Sequence, residues 1–390
     1  MGSALNLCLR IRRKMPGFVD LVFTLFRWLF NGVNPLWRWV TSFPGLRFLP
    51  RLPLPWWTRS GSASDEETGI EDDFTGDEYK ADQADEFYCE YDSSWETEPG
   101  ESSQPKRARN SGGLRNYNFS RFQNAARDMQ KYRKATNVIL QEYRTATELN
   151  STTKSEEPQE LHTMPNLSFY LGKTASLPDG VYIKDFHNSW KGKYDQLERV
   201  HTFIQWLFPL QEPGMNYEAK ILTRKEIEEF RRSDVAKENL LESYKLMLDF
   251  YGIAFKDGTA ELIRADNWME RFENLNRHTH NNLRITRILK CLGTLGYPHY
   301  QAPLVQFFLE ETLVNKELPN VKESALNYFV FAVLDKRERR KLLHFAYEHY
   351  EPKSQFVWCP KKIQNVWSAR SQEPKMIERD GWTETSVLNK

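Results

Sequence analysis

The sequence predicts an all-α fold: a multi-helix globular domain over residues 116–358, preceded by a disordered acidic N-terminal region. Three observations carry this. Apolar residues after Tyr117 recur at helical spacing, capping patterns precede the apolar runs repeatedly, and no stretch alternates like a strand for more than a few residues.

The first helix runs from Tyr117 to about Tyr143, and a polar connector, 147–164, separates it from the main body. The body opens with Asn166 to Tyr170 and a turn at Pro178-Asp179-Gly180, where Pro and Gly supply the fixed and positive φ angles of a tight turn. A helix over Tyr194–Phe208 is stopped by Pro209, and Pro213-Gly214 turns the chain again. Thr223 with Glu226 forms a capping box, so Thr223 is the expected N-cap of the next helix. Ser233 or Asp234 starts another, with Leu240, Tyr244, Met247, Leu248 and Tyr251 on one face and Gly252 as its stop. Thr279 is expected to cap a helix bearing Ile285, Ile288, Leu289, Leu292 and Leu295, which ends at Gly296. Residues 302–316 make a further helix. Asn320 with Glu323, and Asp335 with Glu338, repeat the capping pattern before Pro352 closes the series.

The formal net charge of the 390 residues is +1, but the charge is segregated. Residues 1–59 hold nine Lys/Arg against Asp20 alone, whereas 65–101 hold sixteen Asp/Glu against Lys80. The division is therefore an aromatic, basic segment (1–59), an acidic linker (60–115), the helical domain (116–358) and a flexible tail (359–390). The linker is read as disordered because a Ser-, Gly- and acid-rich stretch buries too little apolar surface to offset its ordering entropy.

Within residues 17–31, Asp20, Thr24, Arg27 and Asn31 fall in one narrow helical stripe. Phe18, Val19, Leu21, Val22, Phe23, Leu25, Phe26, Trp28, Leu29 and Phe30 cover the rest, which predicts a helix lying in a membrane interface. Fifteen residues reach about 22 Å, short of the roughly 30 Å hydrocarbon core. Trp37, Trp39, Trp56 and Trp57 extend this membrane-facing character to residue 57. Lys106, Arg107 and Arg109 form a short basic cluster of the kind that import-machinery proteins read.

Cys8, Cys89, Cys291 and Cys359 form no CxxC pair, and free thiols are expected. There is no Gly-rich phosphate loop, no H-E-x-x-H and no serine elbow. The expectation is a protein that is not an enzyme, with no catalytic residues, metal or cofactor. His278 and His280, two apart in HTHNN, read as capping or surface residues, and His201 as partly buried in its helix. Two basic groups remain. Arg284, Arg287 and Lys290 lie opposite the apolar stripe of their helix, and Lys336, Arg337, Arg339, Arg340 and Lys341 make a denser patch. Each reads as a solvated face, or as a surface for an acidic protein or nucleic acid.

Several strings are more specific. PNLSFY (Pro165–Tyr170), HTFIQWLFPLQEPGMN (His201–Asn216), AKILTRKEI (Ala219–Ile227) and HNNLRITRILKCLGTLG (His280–Gly296) resemble the conserved domain of the opioid growth factor receptor family. So do APLVQFFLEETL (Ala302–Leu313) and ESALNYFVFAVLDKRERRKLLHFAYEHY (Glu323–Tyr350); CEYDSSWE at Cys89–Glu96 is similar to that family's acidic N-terminal segment. The resemblance implies a receptor that binds the pentapeptide Met-enkephalin, restrains cell proliferation and resides in the nucleus or perinuclear cytoplasm. It carries over no set of peptide contacts. A ligand with an amine, two aromatic side chains, a thioether and a carboxylate wants an acid, a base and aromatic walls. Trp190, Trp206 and Trp268 are the candidate walls. The alternative is an intracellular scaffold that binds an acidic protein or nucleic acid through its basic helical faces.

Overall fold

The computed structural model describes residues 84–92, 94–95, 113–149, 164–256 and 259–372, with the side chains of the first helix described from Tyr117 to Thr145. That helix, α1, spans Gly113–Leu149. It is followed by α2 (Pro165–Tyr170), α3 (Ile183–Ser189), α4 (Tyr194–Arg199), α5 (Ile204–Leu207), α6 (Arg224–Arg232) and α7 (Asp234–Tyr251). Two three-residue strands, β1 (Ile253–Phe255) and β2 (Leu262–Arg264), pair antiparallel with Ala254 opposite Ile263. Next come α8 (Trp268–Arg277), α9 (Asn281–Thr294), α10 (Gln301–Leu309), α11 (Lys322–Ser324), α12 (Val330–Ala332), α13 (Lys336–His349) and α14 (Lys361–Gln372). Wider π-type turns continue α10 over Glu310–Val314 and join α11 to α12 over Ala325–Phe329. The fold is all-α, and the short hairpin does not alter that class.

Local signals account for several helix ends. The Thr223 hydroxyl accepts from the Glu226 N–H, that of Ser233 from the Ala236 N–H, and the Asp335 carboxylate from Arg337 and Glu338, as the capping patterns predict. Gly252 ends α7 at φ +77°, and a side chain there would run into the Trp268 backbone 2.7 Å away. Glu226 departs from the capping box. Its carboxylate reaches across to the start of α2, where Oε1 accepts from the N–H groups of Asn166 (2.7 Å) and Leu167 (3.0 Å).

Other expectations need correction. The predicted helix over Tyr194–Phe208 is two short helices, α4 and α5, parted where Val200 turns extended (ψ 127°). No side chain caps α9, which starts at Asn281 without Thr279, and Asn320 bonds Asn276 across the fold instead of capping α11. The chain beyond 358 does not begin as a tail. Helix α14 buries Ile363 and Trp367.

The core lies around α9, whose Ile285, Ile288, Leu289, Cys291 and Leu292 are fully enclosed. Leu240, Tyr244 and Met247 of α7, Leu304, Val305 and Phe308 of α10, and Phe329 complete it; the Phe308 and Phe329 rings lie 5.4 Å apart. Each such side chain stabilises the fold by about 1.5–3 kcal/mol through removal from water. On α1, Phe122, Ala126, Met129, Arg133, Thr136 and Ile139 form the buried stripe, and Phe122 meets Phe331 at 4.9 Å.

Short helices leave many carbonyls without intrahelical partners, and long polar side chains from elsewhere take them up. The Gln301 amide donates to Leu289 O (2.8 Å) and Ala332 O (2.9 Å) and accepts from Leu334 N (3.0 Å). Arg339 donates to Val333 O and Leu334 O just past α12, and Arg133 to Phe331 O.

Candidate functional site

The expected basic faces belong to this device. Arg284 is buried and donates to the carbonyls of Leu197 (2.9 Å) and Val200 (3.0 Å), which close α4. Arg287 donates to Phe208 O at the end of α5, and buried Lys290 pairs with Glu212. Arg339 and Arg340 are also inside. These five residues are therefore not the solvated partner surface that their spacing suggested, because the faces they line are covered by helix ends distant in sequence. Of the second patch, Arg337 and Lys341 are exposed and Lys336 is half-buried.

The tryptophan walls fare similarly. Trp190 and Trp206 are core residues, packed edge-on or tilted against Phe186, Phe203 and Phe169. Trp268 is half-buried, but the Arg264 guanidinium covers its ring at 4.1 Å while holding Glu311 through two hydrogen bonds of 2.7 and 2.6 Å. None of the three lines the cleft that lies between α3, α7 and the hairpin.

His201, His278 and His280 gather around Glu198. His201 is exposed, against expectation, with Nδ1 3.1 Å from Arg284. Burial opposes ionisation of Glu198, but hydrogen bonds from Asn274 and Asn281 and the nearby imidazoles outweigh it and lower its pKa. No group of three or more His, Cys, Asp or Glu among the described residues could hold a metal ion. Lys106, Arg107 and Arg109, and the membrane-facing set Phe18, Leu21, Val22, Leu25, Phe26, Trp28 and Leu29, lie outside the described residues. Among the described residues, no helix is long and apolar enough to cross a membrane.

Sequence reasoning missed the cleft that the fold does build. It has a volume of about 240 Å³ and lies between α3, α7 and the hairpin. Leu246, Ile253 and Phe255 make the apolar part, and Glu242, Asp249, Lys191 and Lys245 bring both signs of charge. Glu242 and Lys245, three apart on α7, pair at 2.8 Å. The Asp249 carboxylate accepts from the Tyr194 hydroxyl (3.1 Å), which in turn accepts from the Asn267 amide (2.7 Å). No local pattern marks these residues as a group, because the hairpin that completes the cleft has no strong strand signature.

His187, also in the wall, sits 2.9 Å from Ser243 Oγ. Burial, then the neighbouring Lys184, pushes its pKa down to about 4, against Glu242, so it is neutral at pH 7. The Ser243 hydroxyl is fully buried and donates to Asn239 O (3.0 Å). The pair is a packing contact, since a nucleophile needs its proton aimed at the base. The cleft can bind a small amphiphile by its charges and apolar floor.

The class these features define is an all-α domain with a compact amphiphilic cleft. The chain belongs to the opioid growth factor receptor family: residues 159–365 match the opioid growth factor receptor conserved region. It is 56% identical to the mouse opioid growth factor receptor over 199 residues, 51% of this chain and 31% of that protein. To the mouse opioid growth factor receptor-like protein 1 it is 50% identical over 218 residues, 56% of this chain and 47% of the relative. The Xenopus tropicalis receptor-like protein 1 matches at 47% over 242 residues, 62% of this chain and 44% of that one. The match thus spans between about a third and a half of these relatives' lengths. No solved structure matches the chain.

Proposed function

We propose that the chain is a receptor-type regulatory protein that binds an opioid pentapeptide, Met-enkephalin, in the cleft between α3, α7 and the hairpin, and so restrains cell proliferation. The observation that carries this is the cleft's composition. Glu242 and Asp249 suit a peptide amine, Lys191 and Lys245 a carboxylate, and Leu246, Ile253 and Phe255 an aromatic or thioether side chain. The names of the relatives support the receptor reading. At about 240 Å³ the cleft is smaller than the roughly 300–1,000 Å³ of typical small-molecule pockets, so one side chain enters and the rest of the peptide crosses the rim.

Fluorescence anisotropy of labelled Met-enkephalin with the full chain tests it. Saturable binding is expected, weakened at least tenfold by Asp249→Asn with Glu242→Gln and by acetylation of the peptide amine. An absence of saturation up to high micromolar peptide overturns the proposal. The companion proposal is a nuclear or perinuclear location set by Lys106, Arg107 and Arg109. It fails if alanine at all three leaves the nuclear fraction of a tagged chain unchanged.

A further inference from the structure

The acidic region contradicts its expected disorder at one place. Residues 84–92, 94 and 95 are seated on the helical body, with Asp85, Phe87, Cys89, Asp92, Ser94 and Trp95 buried. The seat lies between α1, α13 and α14, and the division of labour across it is consistent. In each of the following bonds between them, the body donates and the segment accepts. Arg133 donates to Tyr91 O (3.0 Å) and Asp92 O (2.6 Å), Arg340 to Ser94 O (2.8 Å), and Gln130 to Glu90 O (3.2 Å). Arg339 donates to the Ser94 hydroxyl (3.1 Å), which itself donates to the Asp92 carboxylate. At the other end, the backbone N–H groups of Lys361 and Lys362 reach Glu86 O and the Asp85 carboxylate.

Aromatic knobs sit between these bonds. Trp95 packs edge-on against Trp367 at 5.7 Å under Arg340, Tyr91 lies 4.8 Å beneath Arg127, and Phe87 meets Phe119 at 5.6 Å. Backbone acceptors plus spaced side-chain anchors are how a protein reads a linear peptide. Burial, and then the charge of Arg133, lowers the Arg339 pKa to about 9. Guanidinium groups so placed favour an anion beside them: burial raises the pKa of Asp92, and the Ser94 hydroxyl with the charges of Arg133 and Arg339 pulls against that rise. Arg339 and Arg340 fall inside the family-matched region 159–365, whereas the seated segment falls outside it.

We propose that the groove between α1, α13 and α14 is a docking site for an acidic, aromatic linear segment of a partner protein, with the pattern Tyr-Asp-x-Ser-Trp, and that residues 85–95 are its built-in competitor. The chemistry of the resident defines that of the visitor. Residues 96–112 tie the resident to α1 over at most about 60 Å, and such a tether gives it a high effective concentration. A visitor prevails by binding more tightly or when the resident is withdrawn.

The test inserts a protease site within 96–112 of the full chain, cuts it, and adds labelled synthetic peptide 84–96. The expected result is saturable exchange of the resident fragment for the peptide while the helical circular dichroism is unchanged. Peptides carrying Asp92→Asn or Trp95→Ala should bind at least tenfold more weakly, and the uncut chain at least a hundredfold more weakly. Placing the substitutions in the peptide leaves the body intact. A resident that never exchanges while the body stays folded, or that leaves only as the body unfolds, overturns the proposal and makes the segment part of the core. Exchange solely between two copies of the uncut chain, seen as a dimer by gel filtration, also overturns it.

Discussion

Replacing Glu226 with alanine should cost the body about 3 kcal/mol. The carboxylate is fully buried and accepts from Asn166 N, Leu167 N and the Asn166 side-chain amide (3.1 Å). Alanine strands two backbone donors at the start of α2, and a buried donor left unmade costs about 1–3 kcal/mol. The Asn166 amide keeps its second acceptor, Lys220 O, and so adds little. Part of the loss is recovered, because burial of the carboxylate raises its pKa and opposes ionisation despite those donors. Glutamine should cost less, about 1–2 kcal/mol, since one carbonyl oxygen still receives both N–H groups; its NH₂ replaces the oxygen that accepts from Asn166 Nδ2, which keeps Lys220 O. Urea unfolding of the full chain measures the two costs, and hydrogen exchange at the amides of Asn166 and Leu167 locates them. The reasoning is refuted if alanine and glutamine destabilise equally, or if those two amides exchange no faster in the alanine variant.

Gly293→Ala would drive a methyl into the Tyr132 hydroxyl and to 2.6 Å from Gln301 Nε2. The expected cost is about 1–3 kcal/mol from overpacking, partly relieved by Tyr132→Phe; additive costs in the double-mutant cycle would count against it. His187, with its pKa lowered from 6.5 to about 4 mainly by burial, makes stability depend on acid. The unfolded chain binds the proton more readily, so this contribution is whole above pH 6.5 and lost as pH falls through 4, on the order of 3 kcal/mol in all. His187→Gln should flatten that limb in a pH series of urea titrations, and an unchanged slope would rule His187 out as its source.

What was legible in the sequence was whatever is decided within a few residues. Thr223, Ser233 and Asp335 cap their helices and Gly252 stops one, because each acts on backbone groups two to four positions away. The basic residues could not be placed this way. Arg284 looked solvated opposite the apolar stripe of its own helix, yet the carbonyls that hold it lie more than eighty residues earlier. The break in the predicted 194–208 helix has the same cause, since the carbonyls freed at Leu197 and Val200 are those that Arg284 satisfies. Composition misread residues 84–95 of the acidic region for another reason. An average over 65–101 conceals that Phe87, Tyr88, Tyr91 and Trp95 fall together, and a short cluster of anchors suffices for docking where the segment as a whole lacks a core. The cleft had no sequence signal, since its wall is shared among two helices and a hairpin of six paired residues.

Helix α1 carries a practical consequence. It precedes the family-matched region, yet its Phe122 covers Phe331, its Arg133 holds the Phe331 carbonyl, and its Tyr132 hydroxyl accepts from Gln301. Trp367, past the other boundary, packs on Tyr347 at 5.4 Å. A fragment trimmed to residues 159–365 would uncover apolar surface on both flanks and leave the carbonyl of Phe331 without its cover. The matched conserved region is therefore shorter than the unit that folds, and a recombinant piece meant to stay soluble should extend from before Tyr117 to beyond Trp367.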